Sequence, residues 1–187
     1  MTTPEQFTSR LAALEQRLDA VEDERAVRNV LARYMKLCDQ PCHDHDLPQL
    51  GELFAEDAVW EGVGALYTRT FGKQNGRAAI VAFLGNYLAP LSTHFKMNAH
   101  FLTSDSLTVE RDRAHGQWVM LQASTYEDER SELIGARLTV DFKKQHRQAQ
   151  AWQICHFRTQ RLFCAPWNPA AMSLSGVAIP TDFMKDA

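Results

Sequence analysis

The chain of 187 residues has little of what marks several function classes. It has no surplus of positive charge: 20 Lys and Arg against 23 Asp and Glu leave a net charge of −3. No basic patch therefore calls for nucleic acid or an anionic membrane surface. No apolar run approaches the roughly 20 residues of a membrane-spanning helix. The opening "MTTPEQFTSR" lacks the apolar centre of a secretory signal, which leaves the cytoplasm as the expected location. Cysteine is scarce and badly spaced for metal. Cys38-x₃-Cys42 with His43 and His45 supplies at most half a zinc site, and Cys155 and Cys164 do not form the matching pair. Free thiols and no metal are the expectation. Glycine is also too sparse for a dinucleotide fingerprint: "GVGALY" lacks the third glycine and, on this reading, the helix that should follow. No cofactor is expected, and there are no repeats or low-complexity segments.

What is present is ordinary globular material. A hydrophobic fraction of 45% and this length suffice for one core without disulfide staples. We expect a single domain over 1–187, with a core over about 20–165 and an irregular tail over 166–187 containing Pro166, Pro169 and Pro180. Leu11, Leu14, Leu18 and Val21 form one helical stripe, and Val27, Val30, Leu31, Tyr34 and Cys38 form a second. Pro41 ends the second. Asp46 caps a third helix whose apolar face is Leu47, Leu50, Leu53 and Phe54. A short strand around Val59 and Trp60 is broken by Gly62 and Gly64. Asn75-Gly76 opens another helix. From there the period becomes two, with strands near 94–110, 113–127, 133–144 and 151–163. Helices first and antiparallel strands last is the α+β order, with helices closing one face of a curved sheet. A bent sheet closed in this way leaves a cone-shaped cavity, the default place for a small hydrophobic ligand.

The stretch "ARYMKLCDQPCHDHD" carries the most chemistry. Cys42, His43, Asp44 and His45 read as a solvated loop. Asp39 stands out, because it falls at the carboxyl end of the second stripe, where the helix dipole disfavours a carboxylate by a few tenths to about 1 kcal/mol. Burial would add to that cost and raise its pKa, and a cationic partner would offset it. "THFKMNAHFLTSDSLTV" offers one: His94, Lys96, Asn98 and His100 alternate with Phe95, Met97, Ala99 and Phe101. A carboxylate on one imidazole nitrogen fixes the tautomer and raises the basicity of the other, making a proton acceptor near neutral pH.

Four segments, "EDERAVRNVLARYMKLCD", "LPQLGELFAEDAVWEG", "HFLTSDSLTVERDRAHGQW" and "AWQICHFRTQRLF", resemble the SnoaL-like branch of the nuclear transport factor 2-like superfamily over residues 20 to 170. Among its members they are most similar to the bile-acid dehydratases, scytalone dehydratase and hexachlorocyclohexane dehydrochlorinase. The resemblance implies a helix-lined conical barrel and places the family's catalytic aspartate on Asp39, its histidine on His100 and the bile-acid dehydratases' tyrosine on Tyr34. His94 is the alternative base. The second histidine of scytalone dehydratase has no counterpart in "GQWVML", and its tyrosine beside the aspartate is Cys38 here. The implied chemistry is cofactor-independent: a dehydratase-type lyase or an isomerase acting on a small apolar, cyclic molecule. Rivals are a polyketide cyclase or epoxide hydrolase on the same fold, a non-catalytic ligand carrier, and the small subunit of a ring dioxygenase. Trp60, Trp118 and Phe163 are candidates to line the pocket, and Asn98 and His94 to touch the substrate. The resemblance also implies a homo-oligomer, trimer or dimer, built on the outer face of the sheet.

Overall fold

The computed structural model describes residues 3–39, 43, 46–88, 94–145 and 151–167. Helix α1 (Pro4–Cys38) is followed by α2 (Asp46–Glu52), strand β1 (Phe54–Gly62), α3 (Gly64–Phe71), β2 (Lys73–Asn75), α4 (Arg77–Leu88) and four long strands: β3 (Phe95–Glu110), β4 (Arg113–Tyr126), β5 (Ser131–Lys144) and β6 (Trp152–Pro166). The strands form one sheet in the order β2-β1-β6-β5-β4-β3. Pairing is antiparallel except for β1 with β6, which is parallel.

The two amino-terminal stripes belong to one helix, not two. Nothing between Val21 and Val27 breaks a helix: "EDERA" is made of good helix formers apart from one Asp. Thr3 starts the helix with a capping box, its hydroxyl accepting from Gln6 N and Gln6 returning a bond to Thr3 N, and Pro4 fills the first turn. Among the described residues, only the second half of α1 meets the rest of the domain. Val27, Leu31, Tyr34, Met35 and Cys38 are buried, whereas every residue from 3 to 22 is exposed. The first anchor is Asp23, which accepts from Lys144 Nζ at 2.7 Å and from Trp152 Nε1 at 3.0 Å.

The long strands fall close to their expected spans. Two small elements do not. β1 starts at Phe54, a residue the helical pattern placed on α2, and a helix, α3, does follow Gly64. Gly64 (φ 79°) and Gly72 (φ 61°) bracket it. Positive φ at both ends lets eight residues turn sharply over the sheet, a local arrangement that glycine permits and periodicity does not announce. The core lies between the inner face of the sheet and α1, α2 and α4, around Phe54, Phe142, Leu31, Leu138, Ile80 and Ile154. β6 runs on to Pro166; the rest of the expected tail, from 168, lies outside the described residues, as do Cys42, Asp44 and His45.

Candidate active site

A cavity of about 180 Å³ opens where the upper halves of β3 and β4 diverge from α1, α3 and α4. Its walls are mostly aromatic: Trp60 from β1, Tyr67 and Phe71 from α3, Phe83 and Tyr87 from α4, and Phe157 from β6. These rings pack edge-on or tilted on one another, for example Trp60 against Phe83 at 5.1 Å and Phe71 against Tyr67 at 4.6 Å, while Trp60 stacks on Phe157 at 5.8 Å. Polar groups enter mainly from one side, through His100, Asn98 and Gln122.

His100 is held from behind. Asp39 Oδ1 lies 2.8 Å from His100 Nδ1 and accepts from the His100 backbone N at 2.9 Å. One carboxylate oxygen thus fixes both the strand and the ring. A carboxylate can only accept, so Nδ1 carries a proton, and in the neutral ring Nε2 then presents a lone pair. No described residue engages Nε2, and the ring borders the cavity. The His100 side chain is 9% exposed and that of Asp39 is 37% exposed. Asp39 is therefore not the buried acid of the sequence reading. As the residue capping α1 in extended conformation (φ −75°, ψ 153°), it turns its carboxylate out of the helix axis and onto β3.

Asn98 locks the same junction. Its Nδ2 donates to Cys38 O at 3.1 Å, while its Oδ1 accepts from Gln122 Nε2 and Ser124 Oγ, each at 2.8 Å. The side chain is 2% exposed, and its carbonyl is fully occupied by protein. It ties the last turn of α1 to β3 and β4 and so sets where Asp39 stands. That structural task comes in addition to its place on the cavity wall.

Tyr34 lies in the aromatic wall, its ring 5.7 Å from Phe54 and 4.9 Å from Phe157. Its hydroxyl accepts from Trp60 Nε1 at 3.1 Å and has the Cys38 thiol, one turn on, as a second neighbour. Burial pushes the phenol well above its ordinary pKa, with the Cys38 thiol adding to the rise. Tyr34 is thus a neutral hydrogen-bond donor and not a phenolate. His94 sits at the rim among Tyr87, Phe95 and Tyr126, with ring separations of 5.1, 4.3 and 5.4 Å. Burial, followed by the nearby Arg130 charge, lowers its pKa.

Trp60 and His94 border the cavity, whereas Trp118 and Phe163 do not. Trp118 is buried lower in the cone against Phe142, and its ring occupies the space above Gly116. Phe163 is 51% exposed on the outer face, lying over Gly135. The cause is a bulge. Gly135 pairs with Phe163 and Ala136 with Arg161, so Leu162 is an extra residue that reverses the facing of everything beyond it. A second bulge at Cys155 turns His156 outward, away from Trp152 and Ile154. There it meets Glu61 Oε1 at 2.7 Å and Arg158 at 2.9 Å. Arg158 in turn donates to Asp141 at 2.5 Å. A third bulge, at Lys96, brings Phe95 in beside His94 and sends Lys96 out to Glu129. Gln122 is a cavity residue beyond those expected, and its signal is in the chain: Trp118, Met120, Gln122 and Ser124 share one phase, so two polar side chains follow two core residues inward.

Comparison with known proteins agrees with this architecture. The sequence profile of the SnoaL-like domain matches residues 19–158. None of the curated proteins matches the chain significantly. Among solved structures, a type 2 hexachlorocyclohexane dehydrochlorinase superposes with a TM-score of 0.67 at 18% identity, covering 86% of this chain and 99% of that one. A proposed aromatic ring hydroxylase from Novosphingobium aromaticivorans gives 0.64 at 21% identity, over 79% and 94% of the two chains. A nuclear transport factor 2-like protein with a cystatin-like fold, also from Novosphingobium aromaticivorans, gives 0.59 at 23% identity over 95% and 99%. At these identities the likeness is one of fold.

Proposed function

The chain belongs to the SnoaL-like domain family, and from that premise we propose that it is a cofactor-independent enzyme that removes a proton from carbon in a small, largely apolar, cyclic molecule, of polyketide-like or steroid-like class. His100 is the base. Asp39 fixes its tautomer and stabilises the imidazolium that forms. Tyr34 donates a hydrogen bond to the oxygen on which negative charge develops. Loss of a leaving group such as water completes an elimination; return of the proton to another carbon completes an isomerisation. General base assistance of this type contributes about 10² to 10⁴ in rate, and a placed oxyanion donor adds a comparable factor.

The observation that carries this reading is the 2.8 Å contact between Asp39 Oδ1 and His100 Nδ1 on a ring that borders an aromatic cavity. Aromatic walls favour a flat apolar substrate, and exclusion of water strengthens the few polar contacts. An epoxide hydrolase positions water between two carboxylates and an arginine, and no Asp, Glu or Arg lines the cavity among the described residues. The sheet's outer face carries a row Phe101, Leu121, Gly135, Phe163 across four strands, with Phe101 and Phe163 about half exposed. It is the surface through which a dimer or trimer would form.

The test begins with ligand extracted from the purified protein and identified by mass spectrometry. Incubated in deuterium oxide with that compound, wild-type protein should incorporate deuterium at, or eliminate from, one carbon position. His100→Gln should retain binding and lose both reactions. Tight binding by the wild type with no exchange and no product would mean a ligand carrier instead.

A further inference from the structure

Among the described residues the first five turns of α1 have nothing to pack against, yet they are patterned. Phe7, Leu11, Leu14, Leu18 and Val21 are spaced 4, 3, 4, 3, and their exposures are 65, 47, 55, 58 and 64%. That is the spacing of alternating d and a positions in a heptad. At about 100° per residue, this seam lies roughly 140° around the helix from the stripe Val27, Leu31, Tyr34, Cys38 that docks on the sheet. The helix therefore cannot fold its amino-terminal seam onto its own domain without releasing the other. The seam also stops cleanly. The next a and d positions are Arg25 and Arg28, and Arg28 is bound to Glu24 at 3.0 Å and Asp105 at 2.9 Å.

Charges flank the seam in a fixed order. With Leu11 and Leu18 at a, the g positions are Arg10 and Arg17 and the e positions are Glu15 and Glu22. Within the helix neither Arg10, Arg17 nor Glu15 has an opposite charge three or four residues away, the separation at which side chains on one helix meet. Across a parallel, in-register pair of helices, g faces the e position five residues later on the partner. Arg10 then meets Glu15 and Arg17 meets Glu22, each twice by symmetry. An antiparallel pair would set Arg against Arg and Glu against Glu.

We infer that the amino-terminal half of α1 is a dimerisation helix whose occupant is the same helix of a second copy, in a parallel coiled coil from Phe7 to Val21. The contact is about 20 Å long. It sets two domains side by side at the Arg25 end and leaves both cavities open. It is separate from any contact through the sheet face, and it does not depend on what the cavity binds.

Site-directed cross-linking of the full chain decides the matter. Phe7→Cys and Val21→Cys, each alone, should form covalent dimers under mild oxidation, at least tenfold above the background from the native cysteines. Adding Leu14→Asp and Leu18→Asp to either variant should bring the yield back to that background, while far-ultraviolet circular dichroism retains the signal of the folded sheet. Reversing Arg10 and Arg17 to Glu should have the same effect, and mixing that chain with one carrying Glu15→Arg and Glu22→Arg should restore a heterodimer. Cross-linking only between Phe7→Cys and Val21→Cys chains in a mixture would overturn the parallel arrangement. No cross-linking above background at either site would overturn the coiled coil, whatever the native mass of the protein.

Discussion

Asp39 Oδ1 bonds to two nitrogens of one residue, the Nδ1 of His100 at 2.8 Å and its backbone N at 2.9 Å. The arrangement separates two consequences of mutation. Asp39→Asn can still accept from the backbone N, so the strand keeps its place. A tautomer with Nε2 protonated, however, becomes available to the ring. We expect kcat to fall about 10²-fold or more with KM nearly unchanged, and His100→Gln to fall at least as far. The double variant should be no worse than His100→Gln alone, because the pair acts as a unit. Additive losses in that cycle would show that Asp39 acts on something other than His100.

Tyr34 is a donor in the proposed reaction and also an acceptor for the buried Trp60 N–H. Tyr34→Phe removes both. The orphaned indole N–H should cost about 1–3 kcal/mol in stability, read as a shift in the denaturation midpoint. The lost hydroxyl should lower kcat by about 10- to 10³-fold. Alkaline stability carries a definite sign here. The phenol titrates well above its ordinary value in the folded chain, so stability from this group is complete below about pH 10 and is lost as the pH rises further and the unfolded chain ionises. Tyr34→Phe should therefore flatten the alkaline limb of the stability profile. An unchanged limb would mean that the hydroxyl is better solvated than its surroundings imply.

Two glycines should respond very differently to an added methyl group. At Gly62 a Cβ would come within 2.4 Å of Tyr67 O and 2.7 Å of Tyr67 C, both backbone atoms of α3. At Gly135 the nearest atom, at 2.1 Å, belongs to the Phe163 ring, which is half exposed and free to swing away. Gly62→Ala should cost about 2 kcal/mol or more through displacement of α3 from the cavity wall, and Gly135→Ala less than about 1 kcal/mol. Thermal denaturation of the two variants side by side measures this; equal losses would contradict the placement of α3.

Much of this architecture is legible in the chain. The long strands show alternating patterns that are hard to mistake, and the α1 stop at Asp39 follows from the proline two residues on. A carboxylate at a helix carboxyl end calls for a cationic partner, and the alternating strand offers several; it is the resemblance to the SnoaL-like branch that implies His100, 61 positions from Asp39, as that partner. The residues assigned to the wrong face, Phe163 and Phe95, both sit beside a bulge, as does the outward-turned His156. One extra residue at Cys155, Leu162 or Lys96 reverses every side chain beyond it, and a bulge is set by sheet curvature, not by the composition of its own strand. Trp118 went astray for another reason. It faces inward as read, but a cone narrows, and Gly116 beneath its ring marks the closed end. Facing is a matter of period, whereas depth along the strand is a matter of tertiary shape.

His94 offers a pH experiment with a clear direction. Its ring is packed among Tyr87, Phe95 and Tyr126 at the cavity rim, and the charged groups nearby are Arg130, with Asp128 and Glu132 bound to that arginine. Burial and the Arg130 charge hold its pKa below the ordinary histidine value. In the unfolded chain the same side chain takes a proton near pH 6.5. Its contribution to stability is therefore complete above about pH 6.5 and is lost as the pH falls through the lower, folded-state value. Wild-type protein should lose stability between about pH 7 and pH 5 more steeply than His94→Gln, with the two profiles parallel above that window. Denaturant midpoints at half-unit pH intervals supply the comparison, and proton resonances of the His94 ring supply the titration directly. A wild-type slope shallower than that of the variant would mean that the folded chain favours the charged ring, which would turn the aromatic rim of the cavity into a cation-holding one.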